Sequence, residues 1–307
     1  MLELHPISEN TQKELERAGL DPANVGKVIA TALAEDLAAG DDITTNSTVP
    51  ATQRSSGVFA SRASGCVAGV PLVKAVLEMI AGDQVATEVI RDDGSRVVAG
   101  DAVIKVTAPT RALLTAERTA LNLLCHLSGV ATHTAKWADA LGSTNAKVRD
   151  TRKTTPGLRA LEKYAVRCGG GMNHRMSLSD AALVKDNHIV AAGGVAEAFS
   201  LIRKQAAGIP IEIEVDTVEQ LRVALEAGAD VVLLDNMAPS VLREAVAVTR
   251  AHSQQTGRPV ILEASGGLTL KNAAEVAATG IDFISVGALT HSSPVLDLGL
   301  DLTEIVS

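Results

Sequence analysis

The stretch PIEIEVDTVEQLRVALEAGADVVLLDN, residues 210–236, contains two strand patterns with a helical pattern between them. In the first, Pro210–Val215, aliphatic and acidic residues alternate, which is typical of a strand with two different faces. The segment Thr217–Glu226 has apolar residues at helical spacing, and Asp230–Leu234 is a short aliphatic run. Strand, helix and strand in this order predict a βαβ unit, in which the two strands lie parallel in one sheet.

The same alternation continues on both sides of this unit, from residue 147 onward. Further strands are predicted at Lys147–Thr151, Ala181–Val184, Val260–Glu263 and Phe283–Val286, and further helices at Pro239–His252 and Leu270–Thr279. Each strand ends in charged or glycine residues, which in chain order are Arg152-Lys153, Lys185, Glu214, Asp235, Ser265-Gly266-Gly267 and Gly287. Ligands of parallel α/β folds collect at the carboxyl ends of the strands. Because nearly all the ends carry such residues, we predict a barrel rather than an open sheet.

Residues 1–110 have a different pattern, in which strands predominate. Helices are predicted at Asn24–Ala39 and around Pro71–Ile80, a turn at 40–45, and strands at Gly57–Ala63, Gly65–Ala68, Val85–Arg91, Arg96–Val98 and Ala102–Thr107. Strands grouped around one or two helices indicate an α+β domain. A long helix is predicted at Thr110–Ala140. The predicted division is therefore an N-terminal α+β sandwich domain at 1–115 and an α/β barrel at 116–291.

The composition argues against several classes of function. The formal net charge of -8 opposes binding to a nucleic-acid backbone, and 2% aromatic residues provide few surfaces for base stacking. The seven histidines form no HxxxH or HExxH pattern, so a tightly bound zinc is not expected, whereas a loosely held Mg2+ is compatible with the sequence. No signal-peptide pattern, membrane-length apolar run or CxxC spacing is present. These features predict a cytoplasmic protein.

One segment of this acidic chain is basic. Residues 147–185 hold nine Lys and Arg side chains and include several glycines. Cations that cluster against the net charge of a protein indicate a local site for an anion. Arg152 and Lys153 are adjacent, while Arg175 and Lys185 follow far along the chain, so only the fold can bring them together. Charges dispersed over the surface are the alternative.

Carboxylates on two successive strands are the next candidates. Glu212, Glu214 and Asp216 alternate with aliphatic residues and share one face, which looks inward in a barrel with outer helices. A buried carboxylate requires a cation, a metal or hydrogen-bond donors, so we assign Glu214 to a site. Asp216 with Glu219 forms a D-x-x-E signature of a helix start. Asp235 ends the next strand, where it either caps a helix or holds ribose hydroxyls or a metal.

Glycines and two further side chains complete the set of candidates. Ser265-Gly266-Gly267 and Gly287 precede helical segments, where glycine lets backbone N–H groups approach a phosphate. Barrels often bind phosphate after their last two strands. The glycines at 169–171 predict a mobile or closely approached loop before His174, which is either a structural histidine or part of the site. Arg118 lies on the predicted long helix, where a helical ion pair is the alternative to a binding role.

Eight stretches together resemble the quinolinate phosphoribosyltransferase family of NAD synthesis. They span nearly the whole chain in order: GDDITT (40–45), LLTAERTALNLLCHLSGVAT (113–132), DTRKTTPGLRALEKYAVRCGGGMNHR (150–175), LVKDNH (183–188), IEIEVDT (211–217), LLDNM (233–237), EASGGL (263–268) and VGALTH (286–291). The DTRKTTPGLR and GGGxNHR motifs are specific, and no functional position departs from the family pattern. The resemblance implies an N-terminal α/β sandwich, joined by residues 292–307, and an incomplete α/β barrel of six or seven strands.

The resemblance also implies a reaction and a role for each candidate residue. The implied reaction transfers the phosphoribosyl group of phosphoribosyl pyrophosphate to quinolinate with loss of CO2, giving nicotinate mononucleotide. The residues implied to bind the substrate anions are Arg118, Thr151, Arg152, Lys153, His174, Arg175 and Lys185. Glu214 and Asp235 are implied to face the ribose and its Mg2+, and to be catalytic together with Lys153 and Lys185. The implied 5′-phosphate site is the backbone of Ala264, Ser265, Gly266, Ser285, Val286 and Gly287.

Assembly and a cofactor follow from the resemblance as well. It implies a homodimer, in some members assembled into hexamers, in which Arg118 completes the site of the partner subunit. Mg2+ is expected mainly through the pyrophosphate substrate, with Glu214 and Asp235 as further ligands. Two alternatives stay open: a paralogous ModD-like phosphoribosyltransferase associated with molybdenum transport, and a barrel that binds a phosphate metabolite without catalysis.

Overall fold

The computed structural model describes residues 4–38, 40–206 and 208–306 of the chain. These residues form two compact units. The first unit comprises the described residues of Met1–Ala135, Thr155–Gly170 and Ser292–Ser307. The second comprises those of Lys136–Thr154 and Gly171–His291. Each unit has a sheet of its own, antiparallel in the first and parallel in the second.

The first unit combines antiparallel strands with helices, as the sequence predicts. Its strands are β1 (Arg54–Ser61), β2 (Gly65–Cys66), β3 (Ala86–Val89), β4 (Arg96–Val97), β5 (Ala102–Pro109) and β12 (Leu298–Val306). Its helices are α1 (Glu9–Arg17), α2 (Pro22–Asp36), α3 (Ile43–Thr48), α4 (Val70–Ala81), most of α5 (Thr110–Ala140), and α6 (Arg159–Cys168). The main sheet has the order β12-β1-β5-β3, and β2 pairs with β4 alone. A short 3-10 turn, Gly82–Gln84, follows α4.

The core of the first unit lies on one side of this sheet. Phe59 of β1 and Ile104 of β5 are fully buried, and α4 packs against β5, α1 and α2. Most of α4 is buried, which explains its continuous apolar sequence. The long helix α5 has the bounds that the sequence predicts. Within the described ranges, no helix is both long enough and apolar enough to cross a membrane.

The structure differs from the sequence prediction at residues 43–45, and one predicted helix end lies outside the described residues. The turn predicted at 40–45 is wrong in its second half, where α3 begins at Ile43. The cause is local capping, since the Asp42 carboxylate accepts a hydrogen bond from the Thr45 N–H at 2.9 Å. Hydrogen bonds from the side chain and the backbone of Thr45, with smaller contributions from Thr115 and Thr44, lower the pKa of Asp42. The predicted end of the preceding helix at Ala39 lies outside the described residues.

Two segments that are distant in sequence belong to the first unit. β12 pairs antiparallel with β1 from Ser61↔Leu298 onward. Helix α6 is held there by polar contacts, because Glu162 accepts a hydrogen bond from the Thr155 N–H at 3.0 Å and lies 2.9 Å from Nε2 of His126. The predicted domain boundary after residue 115 differs from this division. The reason is that α5 is continuous from Thr110 to Ala140 and most of its length lies in the first unit.

The second unit is built on one parallel sheet. Its strands are β6 (Lys147–Arg149), β7 (Ala182–Val184), β8 (Ile211–Val215), β9 (Val231–Asp235), β10 (Ile261–Ser265) and β11 (Phe283–Ser285). They follow the order β6-β11-β10-β9-β8-β7, and every neighbouring pair is parallel. In the described part of the chain β6 and β7 do not pair with each other, and the β6 edge forms a parallel bridge to Met172. This sheet fits the incomplete six-stranded barrel that the resemblance implies.

Helices follow most of these strands. In chain order they are α7 (Asp186–Ala192), α8 (Val195–Gln205), α9 (Val218–Glu226), α10 (Pro239–Thr256), α11 (Ala273–Ala277) and α12 (Ala288–His291). The sequence does not predict α7, which has no buried residue and therefore no apolar stripe. The D-x-x-E helix start at Asp216 is also wrong. Thr217 caps α9 instead, and its hydroxyl accepts a hydrogen bond from the Gln220 N–H at 3.1 Å.

A capping interaction in the first unit gives a test of the fold. The Asp93 carboxylate accepts hydrogen bonds from the Gly69 and Val70 N–H groups at the start of α4, both at 3.0 Å, and from the Tyr164 hydroxyl of α6. Asp93→Ala removes this acceptor, and we expect the free energy of unfolding to fall by about 3 kcal/mol. Urea unfolding measures the loss. The exposed neighbour provides the control Asp92→Ala, and equal losses in the two variants contradict the capping role.

Candidate active site

A pocket of about 640 Å³ opens at the carboxyl ends of the strands of the second unit. All the described residues that line it belong to that unit. The sequence-predicted residues among them are Thr151, Arg152, Lys153, His174, Arg175, Lys185, Glu214, Asp235, Ser265, Gly266, Ser285, Val286 and Gly287. The parallel sheet explains the convergence, because equivalent ends of parallel strands meet at one edge.

Two predicted residues are not among those lining the pocket. Ala264 is buried inside β10, one residue before Ser265, which does line the pocket. Arg118 is exposed on α5 in the first unit.

The sequence interpretation missed several residues that line the pocket. They are Leu183, Leu233, Asn236, Glu263, Leu268, Ala288 and His291, whereas Gly267, which the sequence analysis names with Ser265 and Gly266, lines the pocket as predicted. Leu183 and Leu233 lie within short aliphatic runs, a pattern that predicts buried core residues and not pocket residues. Glu263 carries a usable signal, because it lies two residues before Ser265 on the same strand and therefore on the same face. His291 follows Gly287 by one helical turn, which is a further signal.

Arg152 and Arg175 both line this pocket, and the positive charge of Arg152 acts on Arg175. Burial lowers the pKa of Arg175, and the nearby positive charge of Arg152 lowers it further. Arg175 Nη1 donates a hydrogen bond to the Ala181 carbonyl at 2.8 Å, which holds the side chain in place. The buried Nε of Arg152 has no hydrogen-bond partner among the described groups. A buried donor without an acceptor beside a second cation is typical of a site that binds an anion.

Lys153 lies close to the end of β11. Its backbone carbonyl accepts a hydrogen bond from the Thr290 hydroxyl at 2.7 Å, and its N–H donates to Thr151 Oγ1 at 3.0 Å. A Cβ added to Gly287 would lie 3.0 Å from Cδ of Lys153 and 3.2 Å from Nε2 of His291. A side chain at position 287 would therefore press against Lys153 and His291, both of which line the pocket.

The two candidate carboxylates end neighbouring strands. Lys185 Nζ donates to Oε2 of Glu214 at 2.7 Å, with the lysine about half exposed and the glutamate largely covered. Asp235 Oδ2 accepts a hydrogen bond from the side-chain amide of Asn236 at 2.6 Å. β8 and β9 are paired, so Glu214 and Asp235 come to the same edge of the sheet. The inward direction predicted for Glu214 is consistent with its place in the pocket lining.

Five polar residues form what we call the inner polar cluster: Arg149, His174, Glu212, Glu263 and Ser285. Arg149 Nη1 donates to Oε2 of Glu263 at 2.5 Å, and the Ser285 hydroxyl donates to Oε1 of the same carboxylate. His174 Nε2 lies 2.8 Å from Oε2 of Glu212. The arginine also stacks on the ring of Phe283, 4.4 Å from its centroid. The cluster therefore connects side chains of four strands with the loop that carries His174.

The hydrogen bonds of His174 define its tautomer. Its Nδ1 accepts a hydrogen bond from the Arg175 N–H at 2.7 Å, so Nδ1 carries no proton. The ring N–H is then on Nε2, which donates a hydrogen bond to Glu212. The backbone N–H of His174 donates to Asp150, which is fully buried. Both ring nitrogens are thus committed to protein groups.

The inner polar cluster also contains a group of potential metal ligands. One ligand atom from each of His174, Glu212 and Glu263 lies within 4.8 Å of the others. The hydrogen bonds just described, however, occupy the histidine nitrogens and both oxygens of Glu263. A metal would have to displace these donors and approach the guanidinium of Arg149. The geometry fits a satisfied hydrogen-bond network better than a metal centre.

Two family models match the chain and together cover most of it. The N-terminal domain of quinolinate phosphoribosyl transferase matches residues 42–128. The C-terminal domain of the same family matches residues 130–301. The boundary between the two matches falls inside α5, near the boundary between the two structural units.

Curated relatives and a solved structure agree with these matches. The nicotinate-nucleotide pyrophosphorylase [carboxylating] of Mycobacterium leprae is 50% identical over 89% of this chain and 95% of its own. The probable enzyme of the same name from Bacillus subtilis is 41% identical over 88% of this chain and 90% of its own. The crystal structure of NadC from Streptococcus pyogenes superposes with a TM-score of 0.86, at 36% identity, over 93% of this chain and 99% of that chain.

The inner polar cluster predicts a pH dependence of stability. Burial raises the pKa of Glu263, and the nearby Glu212 carboxylate raises it further, against the opposing effects of Arg149, His174 and Ser285. A carboxyl whose pKa is raised by folding stabilises the protein below its ordinary value of 4.5. That contribution is lost as the pH rises through the raised value. We therefore expect Glu263→Gln to gain stability relative to the wild type as the pH is raised from 4.5.

Urea unfolding of both proteins at several pH values from 4.5 to about 8 measures this difference. The matched control is Glu275→Gln, which changes an exposed glutamate on α11 that pairs only at the surface with Arg243. The Glu275→Gln difference should stay flat with pH. A flat difference for Glu263→Gln as well would contradict the raised pKa of Glu263.

Proposed function

The chain belongs to the quinolinate phosphoribosyltransferase family, and on this premise we propose how its pocket carries out the reaction. It is a glycosyltransferase of NAD biosynthesis that transfers the phosphoribosyl group of phosphoribosyl pyrophosphate to quinolinate. The pyridine nitrogen bonds to the anomeric carbon as diphosphate leaves. The carboxylate next to the now cationic nitrogen then leaves as CO2, and the electron pair left on the ring carbon takes up a proton. The products are nicotinate mononucleotide, diphosphate and CO2.

The observation that carries the proposal is the pair formed by Arg152 and Arg175. Burial and then the positive charge of Arg152 lower the pKa of Arg175, and Arg152 keeps a buried Nε donor without an acceptor among the described groups. Quinolinate is a planar dicarboxylate, and guanidinium groups bind carboxylates in a planar, bidentate manner. Binding of this dianion would therefore offset the repulsion between the arginines and satisfy the free donor. The other pocket cations, Lys153 and Lys185, remain for the charges of phosphoribosyl pyrophosphate.

The 5′-phosphate is assigned to the loops after β10 and β11. Gly266 and Gly267 have φ angles of +81° and +63°, a region that favours glycine. A backbone of this kind can turn successive N–H groups toward an anion. Ser285, Val286 and Gly287 contribute the second loop, and Lys153 lies against it. These features support a phosphate at this end of the pocket.

Glu214 and Asp235 are assigned to the ribose. Departure of diphosphate gives the anomeric carbon oxocarbenium character, as in glycoside chemistry. Two carboxylates at the adjacent ends of β8 and β9 would stabilise that charge where it develops. Lys185 Nζ donates a hydrogen bond to Glu214 at 2.7 Å, and its positive charge is available to the leaving diphosphate. The roles of Lys153 and Lys185 in catalysis are thus electrostatic.

Mg2+ is proposed as the cofactor of this site. Glu214 and Asp235 offer carboxylate oxygens, the type of ligand that Mg2+ prefers. The hydrogen bonds from Lys185 and Asn236 reach Oε2 of Glu214 and Oδ2 of Asp235. Both residues line the same pocket, so their carboxylate oxygens could bind a Mg2+ ion that the substrate also binds. When bound, Mg2+ would supply neutralisation of the charge on the diphosphate.

A homodimer with shared active sites is part of the proposal. Arg118 is exposed on α5 and is not among the described residues that line the pocket. In a dimer with two-fold symmetry, each copy can supply this residue to the other and receive it in return. The surplus of anionic groups on the two substrates provides the chemical reason for a further arginine. Hexamers would form by further association of such dimers.

A cytoplasmic location is proposed from the cysteines. Cys66, Cys125 and Cys168 are all free, and Cys66 is buried. Burial raises the pKa of the Cys168 thiol to about 12, and it raises that of Cys125 as well. Unreactive free thiols in a chain without disulfides are typical of a reducing compartment.

A product assay tests the proposed function directly. The purified protein is incubated with quinolinate, phosphoribosyl pyrophosphate and Mg2+, and nicotinate mononucleotide is detected by liquid chromatography and mass spectrometry. Formation of this product with equimolar diphosphate supports the proposal. Absence of any product, with retained binding of the phosphoribosyl compound, would favour the non-catalytic barrel. Transfer to a different acceptor instead of quinolinate would favour the paralogous phosphoribosyltransferase.

The enzyme should discriminate strongly between quinolinate and nicotinate. Nicotinate has one carboxylate and leaves part of the Arg152–Arg175 pair without a counter-charge. Because a site built for a polar group rejects ligands that lack it, we expect kcat/KM for nicotinate to be lower by about 100-fold or more. Steady-state kinetics with each acid at saturating phosphoribosyl pyrophosphate measures the ratio. Equal values of kcat/KM would contradict the assignment of two carboxylate sites.

Variants should separate binding from catalysis. Glu214→Ala and Asp235→Ala should lower kcat by about 100-fold with little change in quinolinate affinity, because their interaction grows as charge develops on the ribose. Arg152→Ala and Arg175→Ala should chiefly weaken quinolinate binding. Initial rates and calorimetric titration measure the two effects, and Glu219→Ala on the exposed face of α9 is the control. Loss of quinolinate binding in Glu214→Ala with normal binding in Arg175→Ala would reverse the roles.

Complementation should reveal whether Arg118 acts in the partner subunit. Arg118→Ala and Lys153→Ala are each expected to be inactive, and the two are mixed under conditions of subunit exchange. If Arg118 acts in the partner, a mixed dimer has one intact site and one doubly altered site. Random mixing makes half the dimers hybrid, so about a quarter of all sites regain activity. A mixture that stays inactive despite verified exchange would refute the shared site.

A further inference from the structure

Asn236, which directly follows Asp235, has an unusual backbone conformation. Its φ angle is +52°, and among the described residues it is the one non-glycine residue with positive φ. Asparagine tolerates this left-handed region better than most residues, yet the region is still sparsely populated. Such a residue at the edge of a binding pocket suggests that the surrounding contacts hold it there for a purpose.

The backbone of Asn236 connects the ends of two strands. The register of β9 and β10 ends at the pair Asp235↔Ser265. One residue later the Asn236 N–H donates a hydrogen bond to the Ser265 carbonyl at 2.8 Å. The turn in the chain at Asn236 therefore ties the end of β9 to the residue that begins the loop Ser265-Gly266-Gly267. Both strand ends are fixed relative to each other at the pocket.

The side chain of Asn236 contacts the same two elements. Its Nδ2 donates to Oδ2 of Asp235 at 2.6 Å. Its Oδ1 lies on the other side, against Gly266, where a Cβ added to the glycine would collide with the amide. The nearest approach of Oδ1 to a Cβ built on Gly267 is 3.8 Å, an ordinary contact. One amide group thus fills the space between a carboxylate and the backbone of the glycine loop.

We propose that Asn236 is a positioning residue that sets the spacing between the Asp235 carboxylate and the Gly266 backbone for phosphoribosyl pyrophosphate. The inference rests on the proposed function, in which the carboxylate faces the ribose and the glycine loop holds the 5′-phosphate of one substrate molecule. These two groups must then be held at a fixed distance, and Asn236 contacts both. Arg175, which is assigned to quinolinate, is held by a different contact, its hydrogen bond to the Ala181 carbonyl.

The variant Asn236→Gly separates the two parts of this role. Glycine accepts the left-handed backbone, so the Ser265 hydrogen bond can persist while both amide contacts are lost. We expect KM for phosphoribosyl pyrophosphate to rise and kcat to fall, with a combined loss in kcat/KM of about 10-fold to 100-fold. The Kd of quinolinate should stay within about 2-fold of the wild type. The matched control is Asn145→Gly, an exposed asparagine at the opposite end of β6.

A double-mutant cycle tests the contact with Gly266. Gly266→Ala in the wild-type background brings a Cβ against the amide of Asn236 and should reduce kcat/KM for phosphoribosyl pyrophosphate severely. In the Asn236→Gly background the amide is absent. The factor by which Gly266→Ala lowers kcat/KM should therefore be about 10-fold smaller there than in the wild type. The strain of alanine at positive φ is common to both backgrounds and cancels. Equal costs in the two backgrounds would show that the contact does not couple the residues.

The outcomes distinguish failure of this inference from failure of the proposed function. If the wild type forms no nicotinate mononucleotide, the proposed function fails. If the wild type is active and Asn236→Gly has unchanged kinetic constants, the positioning role is overturned. It is also overturned if quinolinate affinity and the melting temperature fall in parallel with activity, because that pattern describes a structural residue. The positioning role is supported if kcat/KM for phosphoribosyl pyrophosphate falls while the Kd of quinolinate and the melting temperature stay unchanged.

Discussion

The second unit depends on placing carboxylates at the inner side of a parallel sheet. The acids of β8 alternate with aliphatic residues, so the strand that buries Ile213 must also direct Glu212 and Glu214 to the opposite face. Glu212 and Glu263 are buried, and a buried carboxylate is costly without donors. Arg149, His174 and Ser285 supply those donors from three other elements. The strand ends are therefore held together by polar contacts as well as by the backbone ladder.

This inner polar cluster has a direct consequence for the cationic pocket. The carboxylate of Glu212 accepts a hydrogen bond from His174 Nε2, and Nδ1 of the same ring accepts a hydrogen bond from the Arg175 N–H. The position of the arginine backbone is thus coupled to a residue on β8. Arg175 can in turn be held near the positive charge of Arg152, because its backbone N–H bonds to His174 and its guanidinium to the Ala181 carbonyl. Preorganised cations of this kind bind an anion without a large cost of reorganisation.

Much of this arrangement could be predicted from local patterns. Each predicted strand of the second unit is present, since short aliphatic runs between amphipathic helices are a strong signal. The residues that follow those runs do line the pocket, because chain order fixes which end of a parallel strand they occupy. Glu214 was identifiable from alternation alone. The Arg149–Glu263 pair was not, because the partners are separated by 114 residues and neither sequence neighbourhood points to the other.

The wrong domain boundary and the missed pocket residue Asn236 share one physical cause, which is that tertiary contacts decide what local sequence leaves open. Helix α6 follows β6 in the chain, yet Tyr164 and Glu162 find their partners in Asp93 and His126 of the first unit. Asn236 looks like any residue of a loop, since asparagine is common in turns of many kinds. Its function depends on three partners that are set by strand register: Asp235, Ser265 and Gly266. A residue whose role is to separate two others becomes recognisable only when both are in place. Sequence patterns therefore identify the groups that meet the substrates more readily than the groups that hold them apart.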